Sequence, residues 1–517
     1  MNSKPGRRKF IVPIAIIAVP LAYFFTVSAQ FSVSGKPSLD MLLVWAALNL
    51  VIYLWLRLRS GWKFQTQIYT IVTGIVLQSL FVATVQVEGI LGNGRPVFAW
   101  RWSPLPADEF KSTSLGISTG TIELSAEAIW PQFRGKNRDG ITSEHIPSWK
   151  QHPPELMWKQ PIGAGWASFA VVGEHCFTLE QRGDEECLVC YRVKDGKQVW
   201  INARAERFRE ISGGEGPRAT PTYSDGLLYS LGATGVLQCV DARTGETVWE
   251  TDVLQFNDGT NCLFGMCGSP LVTDGKVIVA PGGSGCSLVA FDKQSGHLVW
   301  KNGDADASYS SPVQMRLCGV DQVLNFNGDG LFAHDLSTGT VLWNIEWISN
   351  EDEKNNVCQP IQLDEDEVFI SSAYGMGCAK LRIEKNGDQW NVSTVWENQN
   401  LKSKFSSAIF NGSHIFGLDL GVLVCLDPTS GNRVWKNGRY AHGQFIKVGD
   451  YLVVQSEKGF VAQVVASAHE FSEMGRIKAL RYRTWTHPVV ADGVLLVRND
   501  REMAAYRLTS IIDGAER

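Results

Sequence analysis

The stretch VLQCVDARTGETVW, residues 236–249, decides the fold. It reads as an apolar strand, a tight turn at Thr244-Gly245 and a second strand that ends on Trp249. The phrase returns along the chain. LVCYRVKDGKQVW ends at Trp200, LVAFDKQSGHLVW at Trp300, LFAHDLSTGTVLW at Trp343 and LVCLDPTSGNRVW at Trp435, and a looser copy, LRIEKNGDQWNVSTVW, ends at Trp396. The period is about forty to fifty residues, which is the spacing of a propeller or solenoid.

Around each phrase lie the four antiparallel runs that a propeller blade needs. The first run opens on a small or polar residue before proline, as in Thr220-Pro221, Ser269-Pro270, Ser311-Pro312, Gln359-Pro360 and His487-Pro488. Proline suits the first residue of a strand, where its missing N–H costs least. A turn follows at Asp225-Gly226, Asp274-Gly275, Asn411-Gly412 and Asp492-Gly493, dipeptides that favour the primed turns of two-residue hairpins. Counting first strands near Ser168, Thr220, Ser269, Ser311, Gln359, Ser406, Gly443 and His487 gives eight blades. The seventh unit lacks its tryptophan around Met474-Gly475, and the eighth stops at Tyr506-Arg507-Leu508 without a fourth strand. A spare strand carrying the Trp phrase lies upstream, at Glu155–Pro161 around Trp158. Pairing it with the last blade closes the ring and removes both sheet edges. The expected fold is therefore an all-β eight-bladed β-propeller over residues 156–508, with a tail at 509–517. One tryptophan per blade at a constant strand position reads as inter-blade packing before it reads as a ligand platform.

Residues 1–88 read as a membrane region of about three transmembrane helices. Apolar runs lie near 10–27, 39–56 and 68–87, each close to the length of a spanning helix. Arg7-Arg8-Lys9 precede the first, and Arg57, Arg59 and Lys63 separate the second from the third, while only Lys36 lies between the first two. The positive-inside rule then places the N-terminus in the cytoplasm and everything after residue 88 outside it: a multi-pass protein of the cytoplasmic (inner) membrane with a periplasmic, extracytoplasmic propeller. A cleaved signal peptide ending near Val27-Ser28-Ala29 is the alternative for the first run, and it leaves the propeller on the same side. RRKFI reads as an ordinary basic n-region rather than a twin-arginine signal.

Residues 89–155 read as a linker and packing segment. Its phrase WPQFRGKNRDG, residues 130–140, joins aromatic, basic and turn residues. Packing of Trp130 and Phe133 against a domain face is the expected role, with a binding lip built on Arg134 and Arg138 as the alternative.

A net charge of −5 suggests no nucleic-acid partner. Of the 11 cysteines, Cys190, Cys239 and Cys425 sit inside repeat strands and read as small buried hydrophobes. Cys187 and Cys190 form a CxxC within one strand, without a second pair at zinc spacing. Cys262 and Cys267 lie in a loop, close enough in sequence to pair in an oxidising compartment.

The repeat phrase resembles that of quinoprotein-type (PQQ-like) β-propellers over roughly residues 130–508. That family holds pyrroloquinoline-quinone dehydrogenases and the propeller scaffold of outer-membrane β-barrel assembly. The lead-in WPQFRGKNRDG followed by LMWKQPIG resembles bacterial membrane-attached PQQ-like repeat proteins of unassigned function. The repeat encodes blade geometry rather than chemistry, so the resemblance carries the fold further than the activity. The quinoprotein enzymes place quinone and Ca²⁺ over the central channel and are typified by a vicinal Cys-Cys disulfide, which this chain lacks.

Other chemical signatures fail in their details. Asn325-Phe326-Asn327-Gly328-Asp329-Gly330 starts like a Ca²⁺ loop but has Leu336 where the bidentate Glu belongs. Gly282-Gly283-Ser284-Gly285-Cys286 misses the last glycine of a nucleophile elbow. No catalytic or metal-ligating residues are singled out, and no cofactor is expected. Long connections at 201–218, 251–268 and 344–357 mark the candidate binding face. Arg218, just before a first strand, and Tyr309, at the same position two blades on, are the candidate residues at the channel mouth, either facing a ligand or lining a wet channel. The expected function is a membrane-anchored binding or assembly scaffold for protein partners or extracytoplasmic ligands. The alternative is a membrane-bound PQQ- and Ca²⁺-dependent oxidoreductase acting on alcohols or sugars.

Overall fold

The structure, a computed structural model, describes residues 61–110, 121–124, 128–349 and 354–508, together with Leu50, Val51, Leu54 and Leu58. Two compact units are present: residues 1–105 with 209–214, and residues 106–208 with 215–517.

In the first unit a helix at Phe64–Thr84 runs into an antiparallel hairpin of strands Val85–Ile90 and Pro96–Trp100. The third apolar run is thus helical over 64–84 rather than 68–87, because its last residues, Val85 to Val87, alternate and join the hairpin. Among the described residues this is the one helix long and apolar enough to cross a membrane, where three were expected. The run at 10–27 lies outside the described residues, as does that at 39–56 except for helical Leu50, Val51 and Leu54.

The second unit is an eight-bladed propeller. Its eight sheets are each built from four consecutive antiparallel strands, except where the chain's beginning intervenes. Blade 1 starts with strand Ala170–Val172, blade 2 with Thr222–Ser224, blade 3 with Leu271–Thr273 and blade 4 with Val313–Leu317. Blade 5 starts with Ile361–Asp364, blade 6 with Ile409–Phe410, blade 7 with Gln444–Val448 and blade 8 with Val489–Ala491. The fourth strand of blade 8 is Glu155–Pro161, paired antiparallel with Glu502–Arg507 so that Ala505 faces Trp158. The ring is closed by the strand the sequence singles out.

The repeat phrase encodes contacts across two blades. Within a blade its aspartate ties the turn, as Asp335 accepts from the N–H groups of Ser337 (2.9 Å) and Thr338 (2.8 Å). Its tryptophan lies on the next blade's turn glycine: Trp158 on Gly196, Trp200 on Gly245, Trp249 on Gly296 and Trp396 on Gly431. The indole N–H bonds to that turn's backbone, Trp200 to Ala242 O (3.1 Å) and Trp249 to Lys293 O (3.1 Å). Trp and Gly of one phrase therefore serve different interfaces.

One local expectation is corrected and another is borne out. Asp225-Gly226 and Asp492-Gly493 adopt the paired positive φ of primed turns, whereas Asn411 does not, and the hairpin there closes over four residues with Asn411 N–H on His414 O (3.1 Å). Blade 7 lacks the tryptophan of its own fourth strand, as the sequence indicates. Gly475 stands at the tryptophan's register, opposite Gln463, and Trp149 of the lead-in segment packs against it. Gln463 holds that segment by accepting from Trp149 N–H (2.7 Å) and donating to Pro147 O (2.9 Å).

Candidate functional site: the two mouths of the channel

The first strands of all eight blades run the same way along the central channel, so the residues that precede them gather at one mouth. Just inside it, blades are laced together by hydroxyls. Ser168 N–H donates to Thr220 Oγ1 (3.0 Å), Thr220 N–H to Ser269 Oγ (2.9 Å), and Ser269 N–H to Ser311 Oγ (2.9 Å). Further round, Gln359 N–H donates to Ser407 Oγ (2.9 Å) and Ser168 Oγ to His487 O (2.7 Å). This explains the small hydroxyl residues before these first strands: Thr220, Ser269, Ser311 and Ser407 each accept from a backbone N–H of the neighbouring blade.

Two residues ahead of this belt sits a collar of larger side chains, among them Trp166, Arg218, Tyr309, Phe405, His442 and Trp485. Trp166 and Trp485 meet with ring centroids 4.9 Å apart, and Phe405 lies 5.2 Å from Trp485 and 5.7 Å from His442. The guanidinium of Arg483 covers both Trp166 and Trp485, at 5.0 and 4.4 Å from their centroids, and Lys404 Nζ covers Phe405 at 5.2 Å. Desolvation holds the His442 imidazole below its ordinary pKa, so it is neutral here at pH 7.

The two residues chosen from the sequence are in this collar. Arg218 lies 4.7 Å over the Phe208 ring and donates to Gly216 O. Tyr309 is buried, with its ring 5.4 Å from Phe264 and its N–H on Asn356 O (3.1 Å). Phe208 and Phe264 come from the long connections 201–218 and 251–268. The structure does not bring Arg218 and Tyr309 together; they stand two blades apart. Sequence reasoning missed Trp166, Phe405, His442 and Trp485, although counting back two residues from the first-strand positions read in the sequence, as for Arg218, finds Trp166 and Trp485 and falls one residue short of Phe405 and His442.

The opposite mouth is stoppered by Trp130–Thr142. Trp130 bridges Val171 of blade 1, and Pro131 O accepts from Tyr223 N–H of blade 2 (2.8 Å). Arg138 donates to Ser269 O (2.9 Å) and Pro270 O (3.0 Å) of blade 3, Arg134 to Ala408 O of blade 6 (2.7 Å), and Ile141-Thr142 pair in parallel with Lys447-Val448 of blade 7. The Phe133 ring stands edge-on to His487 at 4.9 Å. Both arginines are buried, and desolvation lowers their pKa values, to about 10 for Arg134 and about 9 for Arg138. They tie the segment into the ring rather than forming a lip. A groove of about 550 Å³ remains beside the stopper, reaching from Lys136 to Arg316 and Gln362.

The loop that begins like a Ca²⁺ site already contains a cation. Lys354 Nζ lies 2.5 Å from Asp306 Oδ2 and 2.6 Å from Asp329 Oδ1. Asn327 Oδ1 turns inward onto the N–H groups of Asp329 (3.0 Å) and Gly330 (3.1 Å). At the collar the nearby carboxylates are also engaged: Glu457 accepts from Trp485 Nε1 (2.8 Å) and Asp500 faces Arg483 (3.8 Å). Among the described residues no group of three His, Cys, Asp or Glu side chains is disposed to hold a metal. The Trp166–Trp485 planes meet at 46° with Arg483 over both, so these two rings form no parallel slot for a flat ring. Cys262 and Cys267 are free thiols, with burial raising their pKa values to about 11 and about 12.

The model of the family described as outer membrane protein assembly factor BamB matches residues 148–253 and 184–437. An outer membrane protein assembly factor BamB of Burkholderia pseudomallei is 24% identical over 364 residues, covering 66% of this chain and 85% of that protein. The dehydrogenase subunit of a quinone-type alcohol dehydrogenase of Acetobacter aceti is 27% identical over 251 residues, covering 43% of this chain and 32% of that protein. Among solved structures, BamB from Moraxella catarrhalis superposes with a TM-score of 0.49 at 18% identity, over 68% of this chain and 99% of that one.

Proposed function

We propose that this chain, which belongs to the PQQ-like propeller family described as outer membrane protein assembly factor BamB, is a membrane-anchored extracytoplasmic scaffold that binds a protein partner on the face of its inter-blade loops. The observation that carries this reading is the asymmetry of the channel. One mouth is stoppered by Trp130–Thr142, and the other presents aromatic and cationic side chains fixed to the strands of several blades. Beside the collar, Leu263, Leu420 and Tyr482 stand 52%, 48% and 44% exposed. Aromatic and arginine anchors are the residues enriched in protein-binding hot spots. The Burkholderia relative's description as an assembly factor supports a role in holding other proteins. Anchorage is assigned to the helix Phe64–Thr84, with the propeller outside the cytoplasm as the charge asymmetry of the sequence suggests.

The second reading, a PQQ-dependent oxidoreductase of alcohols or sugars, draws support from the Acetobacter relative. The engaged carboxylates and the Lys354 ammonium weigh against it. Two measurements separate the readings. Titration with PQQ and Ca²⁺ is expected to give neither a bound quinone absorbance nor dye reduction by alcohols or sugars; both signals together would overturn the scaffold reading. Partner retention is expected to be lost in a Leu263→Ser, Leu420→Ser, Tyr482→Ser triple variant and kept in Lys136→Glu on the stoppered face; retention by both would move the partner elsewhere.

A further inference from the structure

The first unit exposes its side chains in the order opposite to that of a water-soluble fold. On the helix Phe64–Thr84 the buried residues are Gln67, Gly74 and Gln78, whose spacings of seven and four put them on one stripe. Phe64, Tyr69, Val72, Val76 and Leu80 are instead each more than half exposed. A helix in water buries its apolar stripe and shows its polar one. The reverse distribution suits a helix whose solvent is hydrocarbon. Its 21 residues extend about 31 Å at 1.5 Å per residue, the thickness of a bilayer's hydrocarbon core.

At Thr84 the chain enters the hairpin, and the hairpin is fastened back onto the helix end. Arg101 Nε donates to Val82 O (2.7 Å), and Arg101 N–H donates to Thr84 O (2.9 Å), so a cation sits on the helix's C-terminal carbonyls. The strand Pro96–Trp100 alternates in exposure and turns Pro96, Phe98 and Trp100 to one outer face. Phe98, Trp100 and Trp102 are 49%, 53% and 68% exposed. Trp100 and Trp102 stack with centroids 5.1 Å apart, and Phe98 stands edge-on to Phe81 of the helix at 6.2 Å. The aromatic face is therefore a continuation of the helix's apolar surface, placed where the hydrocarbon ends.

We propose that Phe98, Trp100 and Trp102 form an interfacial foot, seated in the headgroup boundary of a lipid bilayer at the end of the helix that leads to the propeller. The inference rests on the membrane-anchored reading above and goes beyond it by assigning the hairpin itself to the lipid surface. Each ring buries its apolar body against acyl chains, and the indole N–H groups of Trp100 and Trp102 reach the headgroups. Because Arg101 fastens the hairpin to the helix end, the foot fixes the depth and tilt at which the helix leaves the bilayer.

The test is photocrosslinking of the full chain in native membranes, with a benzophenone amino acid placed singly at residues 76, 98, 100, 102 and 387. Residue 76 lies on the exposed face of the helix, and residue 387 is the open turn of blade 5. Carbonate extraction is run on the same membranes. The expected result is retention in the carbonate pellet, lipid adducts at 76, 98, 100 and 102, and none at 387. Retention with lipid adducts at 76 alone would overturn the foot and leave the anchor standing. Adducts to another protein at 98, 100 and 102 would overturn it in favour of a protein-covered face. Release by carbonate without a lipid adduct at 76 would overturn the anchor and the foot together.

Discussion

Trp158 lies on Gly196, so close that a Cβ on the glycine would come within 2.9 Å of the indole. The two residues belong to the last and first blades, and their contact repeats at the seam what Trp200 does on Gly245 inside the ring. Gly226 has the same left-handed backbone, φ 86° against 70° for Gly196, but nothing within 4 Å of its missing Cβ. Alanine at either position meets a backbone cost of about 1–2 kcal/mol. Gly196→Ala adds overpacking of about 1–3 kcal/mol at the seam. Urea unfolding is expected to rank Gly196→Ala below Gly226→Ala; equal midpoints would mean that the seam is not packed as described.

Trp149 covers Gly475, which holds the tryptophan's register in blade 7, with its Cβ and backbone. It is 4% exposed, so Trp149→Ala is expected to cost about 3–5 kcal/mol, comparable to Trp200→Ala within a regular blade. Chemical denaturation of the two variants side by side checks this, and a negligible effect at Trp149 would make the lead-in segment a passive tether.

Arg138 holds the stopper by bonds to Ser269 O and Pro270 O on blade 3. Arg138→Met leaves Ser269 O unpaired, at about 1–3 kcal/mol, while Pro270 O keeps the Thr222 hydroxyl (2.7 Å). The expected outcome is faster proteolysis within residues 130–142 while far-UV circular dichroism keeps the propeller signal. Unchanged cleavage would show that Trp130 and Phe133 suffice to hold the segment.

His487 introduces a pH dependence at the same mouth. Burial first, and the Arg134 charge second, hold its imidazole down to about 3, against about 6.5 in an unfolded chain. As pH falls below about 6.5 the unfolded chain takes up the proton first, so stability falls with pH through the window down to about 3. The slope from this residue is at most about 1.4 kcal/mol per pH unit. Urea midpoints measured from pH 7 to pH 4.5 should fall less steeply in His487→Gln than in the parent; parallel curves would exclude His487 as a source of the loss.

Much of this architecture was legible because short-range patterns fix a blade. Asp241, Thr244, Gly245 and Trp249 lie within nine residues of one another, and alternation supplied the strands on either side. The closing strand was legible by subtraction, since Trp158 carried the repeat phrase without three strands before it. Contacts without a local signature were not legible. Nothing near Gly475 points to Trp149, more than three hundred residues earlier, and nothing near Asp306 and Asp329 says that Lys354 will sit between them. The collar was half legible: Arg218 and Tyr309 were found by position, but Trp166 and Trp485 face each other only because the ring closes. Helix length was overrun at Val85–Val87 because hydropathy does not register the change from helical to alternating periodicity.

That closure is what places the collar, and hydrogen exchange of the intact protein reads it most directly. If Glu155–Pro161 is the fourth strand of blade 8, its amides are expected to exchange as slowly as those of Glu502–Arg507, and Trp158→Ala is expected to speed both together. Exchange of residues 155–161 within seconds, beside a protected Glu502–Arg507, would contradict the closed ring and with it the binding face assigned to its open mouth.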